Sequence, residues 1–186
     1  LRSCFIKQAD VLQGMYFFED KFDDATIQRH FAFYEPMTVH ESSLSPCVHS
    51  ILACKIGDIE KAYEMYQRTA RLDLDNYNHD TEDGLHITSM AGSWLSLVKG
   101  FGGMRIKDGG LHFQPVLPDN WTSLSFNIIF RKNTLKVTMR KNSQVFENLS
   151  GSEMQIWLNN IKFDLESKSQ IVIGVSKLHE NKKVEL

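Results

Sequence analysis

The stretch Gly100–Gly110, "GFGGMRIKDGG", separates two kinds of residue pattern, and reading it as a break decides the fold. On its N-terminal side apolar residues recur near every 3.6 positions, the period of a helix with one buried face. In "DVLQGMYFFEDKF", which opens at Asp10, they fall at 11, 12, 15, 16, 18 and 22. "DDATIQRHFAFYEPM" begins with capping aspartates and stops near Pro36. "SPCVHSILACKIG" offers Ser45 as an N-cap, Pro46 at the first helical position and Gly57 as the stop. "DIEKAYEMYQRTARL" places Ala62, Met65, Tyr66 and Ala70 on one face, and "TSMAGSWLSLVKGFGG" is capped by Thr88 or Ser89. Short links between such helices predict antiparallel neighbours, as in stacked helical hairpins.

On the C-terminal side the period drops to two. "LHFQPVLP", "SLSFNIIFRK", "TLKVTMRK", "EMQIWLNN", "IKFDLES" and "SQIVIGVS" alternate apolar with polar and are separated by Asn, Gly, Ser or Pro. "RKNTLKV" reads as a tight hairpin. Strands at this spacing predict a small antiparallel β-sandwich. The expected class is therefore α plus all-β, with a helical part over 1–103 and a sheet part over 104–186.

Composition narrows the function. Among the 186 residues 42% are hydrophobic and 24% charged, which is ordinary for a globular protein. The net charge of -2 implies no general attraction to nucleic acid or to an anionic membrane. No apolar run reaches the roughly 18 residues of a membrane span, and the start does not read as a signal peptide. Cys4, Cys47 and Cys54 are odd in number and sparse, which predicts free thiols and a cytoplasmic setting. The sequons at Asn120 and Asn148 are read as chance matches. Leu1 starts without a cap or an initiator Met, and the helices carry more apolar surface than so short a bundle covers. Both features are expected of a piece of a longer chain.

Three polar clusters lie near helix starts. "KQAD" brings Lys7 and Gln8, which can donate to adjacent sugar hydroxyls or simply form a solvated helix start. "VHESSLS" (39–45) puts Glu41, Ser42 and Ser43 ahead of the helix beginning near Pro46. A helix start gathers unpaired N–H groups and partial positive charge, so this loop suits phosphate as well as ordinary capping. His40 beside it is able to add charge or a hydrogen bond. The third cluster places His86 just before the last helix, where it too could meet an anion. No metal is expected: Asp80, Glu82 and Asp83 lack a calcium-loop spacing, and His40, His49, His79 and His86 lack zinc spacing with cysteines. Cys47 is read as a small buried residue rather than a reactive thiol, and "GFGGMR" lacks the strand and Lys-Ser/Thr of a P-loop.

Taken together, "KQADVLQGMYFF", "FYEPMTVHESSLSPCVHSILACKIGD", "AYEMYQRTARLDLDNYNHDTEDGLHITSMAGSWLSLVKGFGGMR" and "LHFQPVLPDNW" resemble the C-terminal third of glycoside hydrolase family 65. The resemblance is collinear from about Lys7 to Trp121 and weaker through the strands. It implies the C-terminal half of an (α/α)6-barrel catalytic domain followed by a small antiparallel β-sandwich. It also implies an inverting phosphorylase that splits an α-glucosyl disaccharide, with maltose expected, using inorganic phosphate. By the same resemblance Ser42, Ser43 and His86 bind phosphate, while Lys7 and Gln8 grip the reacting glucose and Glu41 walls the site. The family's general acid lies in a motif upstream of "KQAD", so no catalytic residue is expected within this chain, and the isolated polypeptide is expected to be inactive. No cofactor is implied, and the full-length enzyme is expected to be a homodimer. Two alternatives stay open: a hydrolase of the same family, with Glu41 near the position of phosphate, and a non-catalytic carbohydrate-binding or assembly module.

Overall fold

A computed structural model describes residues 4–76, 79 and 81–174. Asp80, grouped above with Glu82 and Asp83, lies outside them. The chain divides into two compact units, Leu1–Phe101 and Gly102–Leu186.

The first unit is built around one helix. α1 (Asp10–Phe17) is shorter than the apolar pattern suggests, because Phe18 leaves helical geometry and a 3-10 turn (Glu19–Lys21) follows. α2 (Asp24–Tyr34) is capped by Asp23, whose carboxylate accepts the Thr26 N–H at 2.6 Å. Pro36 then diverts the chain through a 3-10 turn (Glu35–Met37). α3 (Ser45–Ile56) is buried on every side from Ser45 to Cys54, which is what a helix without a polar face becomes. It ends at Gly57, whose φ of 83° supplies the left-handed C-cap. α4 (Ile59–Ala70) is capped by Asp58 and buries Ala62, Met65 and Thr69. The four-residue α5 (Leu72–Asp75) follows, and α6 (Ile87–Leu95) runs into a π-helical turn (Ser96–Phe101).

α1, α2, α4, α6 and the π turn all pack on α3. Leu12, Ile51 and Leu52 are at most 1% exposed, and burying each such side chain contributes about 1.5–3 kcal/mol before entropy is counted. Hydrogen bonds fix the register of this packing. Ser50 Oγ donates to Ala62 O at 2.9 Å between α3 and α4, and Ser89 Oγ donates to Thr69 O at 2.6 Å between α4 and α6. Gly92 lets α6 approach, since a Cβ there would lie 2.9 Å from Cys47 Cβ.

The second unit holds two four-stranded sheets. One has the order β1 (Arg105–Lys107), β2 (Gly110–Phe113), β6 (Met154–Leu158), β7 (Ile161–Leu165). The other has β3 (Ser123–Phe130), β4 (Asn133–Arg140), β5 (Ser143–Asn148), β8 (Gln170–Gly174). Inward residues alternate along the strands, Leu135, Val137 and Met139 on β4 being fully buried. Phe113 of the first sheet meets Phe146 of the second at 5.0 Å between ring centroids, so the sheets pack face to face.

The expected all-antiparallel pattern needs one correction: β2 and β6 pair in parallel. The chain leaves β2, builds three strands of the other sheet and returns, and so long a crossover permits a parallel neighbour. β1 and β5 were not anticipated. Arg131 and Lys132, with φ of 50° and 71°, form the two-residue turn between β3 and β4. Asn148 is 1% exposed and its amide donates to Ser152 O and Glu166 O, so its side chain is already committed inside the fold.

Candidate functional site

Backbone pairing assembles the site from distant segments. Ile6 forms a parallel bridge with Thr38, through Ile6 N–H to Met37 O at 3.0 Å and Val39 N–H to Ile6 O at 2.9 Å. This lays Lys7 and Gln8 beside the loop that leads into α3. That loop is held from behind by the Arg68 guanidinium, which donates to the carbonyl of His40 at 3.3 Å. Across the gap, Ser43 Oγ and Thr88 Oγ1 lie 2.9 Å apart, tying the loop to the first turn of α6. The result is an open hollow of 420 Å³ lined by Lys7, Gln8, Asp10, Glu41, Ser42, Ser43 and His86.

All six residues singled out from the sequence therefore line one hollow, together with Asp10. Lys7 brings a cation, Asp10 and Glu41 bring carboxylates, and the two serines bring hydroxyls half shielded from solvent. His86 is held by Asp73 of α5: the carboxylate accepts the His86 backbone N–H at 3.0 Å and meets ring Nδ1 at 2.5 Å. The hydrogen bond to His86 in turn holds the Asp73 carboxyl below the usual carboxylate range. Such a set can bind an anion next to a polyol.

Three readings from the sequence change. Ser45 does not cap α3; Leu44 occupies the cap position, and Ser45 Oγ bonds His40 Nδ1 at 2.9 Å. His40 faces away from the hollow: it is 5% exposed, with a left-handed φ of 56°. Burial, helped by the charges of Arg68 and Lys61, pushes its imidazole down to about 4, so it is neutral at pH 7 and adds no charge. Neither Thr88 nor Ser89 caps α6, their hydroxyls serving Ser43 and Thr69 instead. Burial raises the Cys47 thiol to about 11, which suits the small buried residue expected there.

Behind the loop, Glu35, His40 and His49 bring ligand-type atoms within 4.8 Å of one another. The Glu35 carboxylate is bound to the Lys61 ammonium at 3.3 Å, and His40 Nδ1 is engaged by Ser45. A larger hollow of 680 Å³ lies on the sheet unit beside Trp157. That indole stacks on His112 at 4.7 Å and has the Lys162 ammonium at 5.9 Å.

The helical unit thus carries an open polar hollow and is followed in the chain by a two-sheet unit. Residues 1–95 match the glycosyl hydrolase family 65 central catalytic domain and residues 104–165 match the glycosyl hydrolase family 65, C-terminal domain; the chain belongs to this family. It is 58% identical over 156 residues to maltose phosphorylase of Bacillus subtilis (strain 168), covering 84% of this chain and 21% of that one. It is 44% identical over 160 residues to alpha,alpha-trehalose phosphorylase of Thermoanaerobacter brockii, covering 86% and 21%. Among solved structures, a human-microbiome protein assigned as a kojibiose phosphorylase superposes with a TM-score of 0.84 at 36% identity, covering 91% of this chain and 22% of that one. The chain thus spans about a fifth of the length of the relatives it matches. Among the described residues no helix is long and apolar enough to cross a membrane.

Proposed function

We propose that this chain supplies the C-terminal half of the (α/α)6 barrel and the β-sandwich of an inverting disaccharide phosphorylase. The substrate pair is maltose and inorganic phosphate, and the products are β-glucose 1-phosphate and glucose. Ser42, Ser43 and His86 hold the phosphate, Lys7 and Gln8 hold the glucose whose anomeric carbon reacts, and Glu41 walls the site. A phosphate oxygen bonds to that carbon as the glycosidic C–O bond breaks on the opposite face. The leaving oxygen takes its proton from a carboxylic acid that lies outside these 186 residues. Phosphate arrives anionic and needs no general base. The working enzyme is a cytoplasmic homodimer, and the chain alone does not turn over.

The observation that carries this reading is the single hollow gathering Lys7, Gln8, Glu41, Ser42, Ser43 and His86 from three separate segments. The 58% identity to a maltose phosphorylase supports maltose over other disaccharides. Glu41 on the same wall favours hydrolysis as a second reading, with a carboxylate near the phosphate position. Calorimetry with inorganic phosphate and with β-glucose 1-phosphate separates them. Binding by the parent and its loss in His86→Ala are expected; no binding, or binding indifferent to the substitution, refutes the phosphate role. A maltose-plus-phosphate assay that released glucose 1-phosphate from this chain alone would refute the missing acid.

A further inference from the structure

His86 follows an irregular segment and precedes a helix whose first turn has no side-chain cap, so something else must fix its ring. Among the described residues, the Asp73 carboxylate, thirteen positions earlier, reaches both its backbone and its ring. Asp73 stands on a four-residue helical turn pinned at both ends. Leu72 is 2% exposed in the core, and Arg71 grips Asp75 through two bonds of 2.6 Å. A side chain held this firmly has little freedom to drift, and its side chain is only 16% exposed. Its two oxygens do different work. Oδ2 accepts the backbone N–H of His86, which any structural cap would do, while Oδ1 meets ring Nδ1 at 2.5 Å.

We propose that Asp73 is a positioning residue for His86, clasping backbone and ring together so that the ring presents its Nε2 edge to an oxyanion in the hollow. The inference rests on the reading of this hollow as the phosphate site. A carboxylate at Nδ1 keeps a proton there in the neutral ring and stabilises the doubly protonated ring. The Nε2–H of that doubly protonated ring is the group that donates to the oxyanion, with a full positive charge behind it. Asp73 does not line the hollow itself, so it acts through His86 and touches no substrate.

The test uses the chain with 15N-labelled histidine and long-range 1H–15N spectra of the neutral ring. Nδ1–H is expected in the parent; a parent ring carrying its proton on Nε2 overturns the proposal without any variant. Asp73→Asn keeps an oxygen for the backbone N–H but turns an amide NH2 toward Nδ1, which must then accept. The tautomer should switch while the fold, checked by circular dichroism, persists, and inorganic phosphate should bind about 10-fold more weakly. An unchanged tautomer and an unchanged phosphate affinity in Asp73→Asn refute the positioning role. Phosphate binding that survives His86→Ala refutes the phosphate reading instead, while the parent ring spectrum still decides whether Asp73 holds Nδ1.

Discussion

The two units treat their apolar side chains differently. The sheet unit buries Phe113, Leu135, Val137, Met139, Phe146, Ile156 and Leu158 to within 1% and leaves few large apolar groups outside, such as Ile106, Ile129 and Val172. The helical unit leaves Phe17, Phe18, Phe33, Leu74, Leu85 and Ile87 at least 60% exposed. Scattered exposed apolar groups are normal, but this many large ones on one small unit mark a surface that expects cover. The sheet unit closes its own core with two facing sheets; the helical unit surrounds α3 but leaves large apolar groups of the surrounding elements outside. A chain that spans about a fifth of its relatives would have this asymmetry if the missing cover lay in the rest of the catalytic domain.

The comparison breaks most visibly under large-to-small substitution. Phe146→Ala, at a side chain 0% exposed, should cost about 3–5 kcal/mol in urea unfolding, while Phe33→Ala at 62% exposure stays within about 0.5 kcal/mol. A Phe33→Ala cost equal to that of Phe146→Ala would mean that the helical face is already covered.

Acid should separate the units next. His40 is neutral when folded, with Ser45 at Nδ1, the His49 ring at 4.4 Å, Arg68, Lys61 and Glu64 of α4 as charged neighbours, and the Lys61-paired Glu35 carboxylate within 4.8 Å. Its folded value of about 4 lies below the ordinary 6.5, so the unfolded chain binds the proton more readily. Stability contributed by this group is fully present above pH 6.5 and is lost as pH falls toward 4, on the order of 3 kcal/mol. His49, pushed down to about 3 chiefly by burial, adds in the same direction. Thermal melts from pH 7 to pH 4 should show the helical transition falling first, and His40→Asn should flatten that slope. Equal acid sensitivity of both transitions would contradict the argument.

Smaller effects sharpen the helical packing itself. Gly92→Ala should destabilise the helical unit by about 1–3 kcal/mol by pressing on Cys47 Cβ, and a second substitution Cys47→Gly, which removes that atom, should relieve the contact where Cys47→Ala does not. Ser50→Ala, which leaves Ala62 O without its partner between α3 and α4, should cost about 1 kcal/mol by the same melts.

The change of period across Gly100–Gly110 was legible because buried faces obey fixed repeats. β5 was not, for a physical reason: its inward positions are Gln144, Phe146 and Asn148, so two of three buried side chains are polar and the alternation vanishes. β1 is only three residues long, too short for any pattern. At the site, local rules misread Ser45, because the nearby His40 ring takes its hydroxyl. Periodicity alone left Lys7 and Gln8 as a solvated helix start; the Ile6–Thr38 bridge that brings them to the loop joins residues far apart in the chain. Asp73 sits in the repetitive "LDLD", and nothing in that run distinguishes it from Asp75. Only folding shows which aspartate turns to His86 and which to Arg71.

The hydroxyl pair Ser43–Thr88 has one more implication. Either oxygen is able to give the proton, so the seam between the loop and α6 can reverse its polarity without moving a heavy atom. A visitor that takes a proton from Ser43 and one that offers a proton to it would both find the rim of the hollow intact.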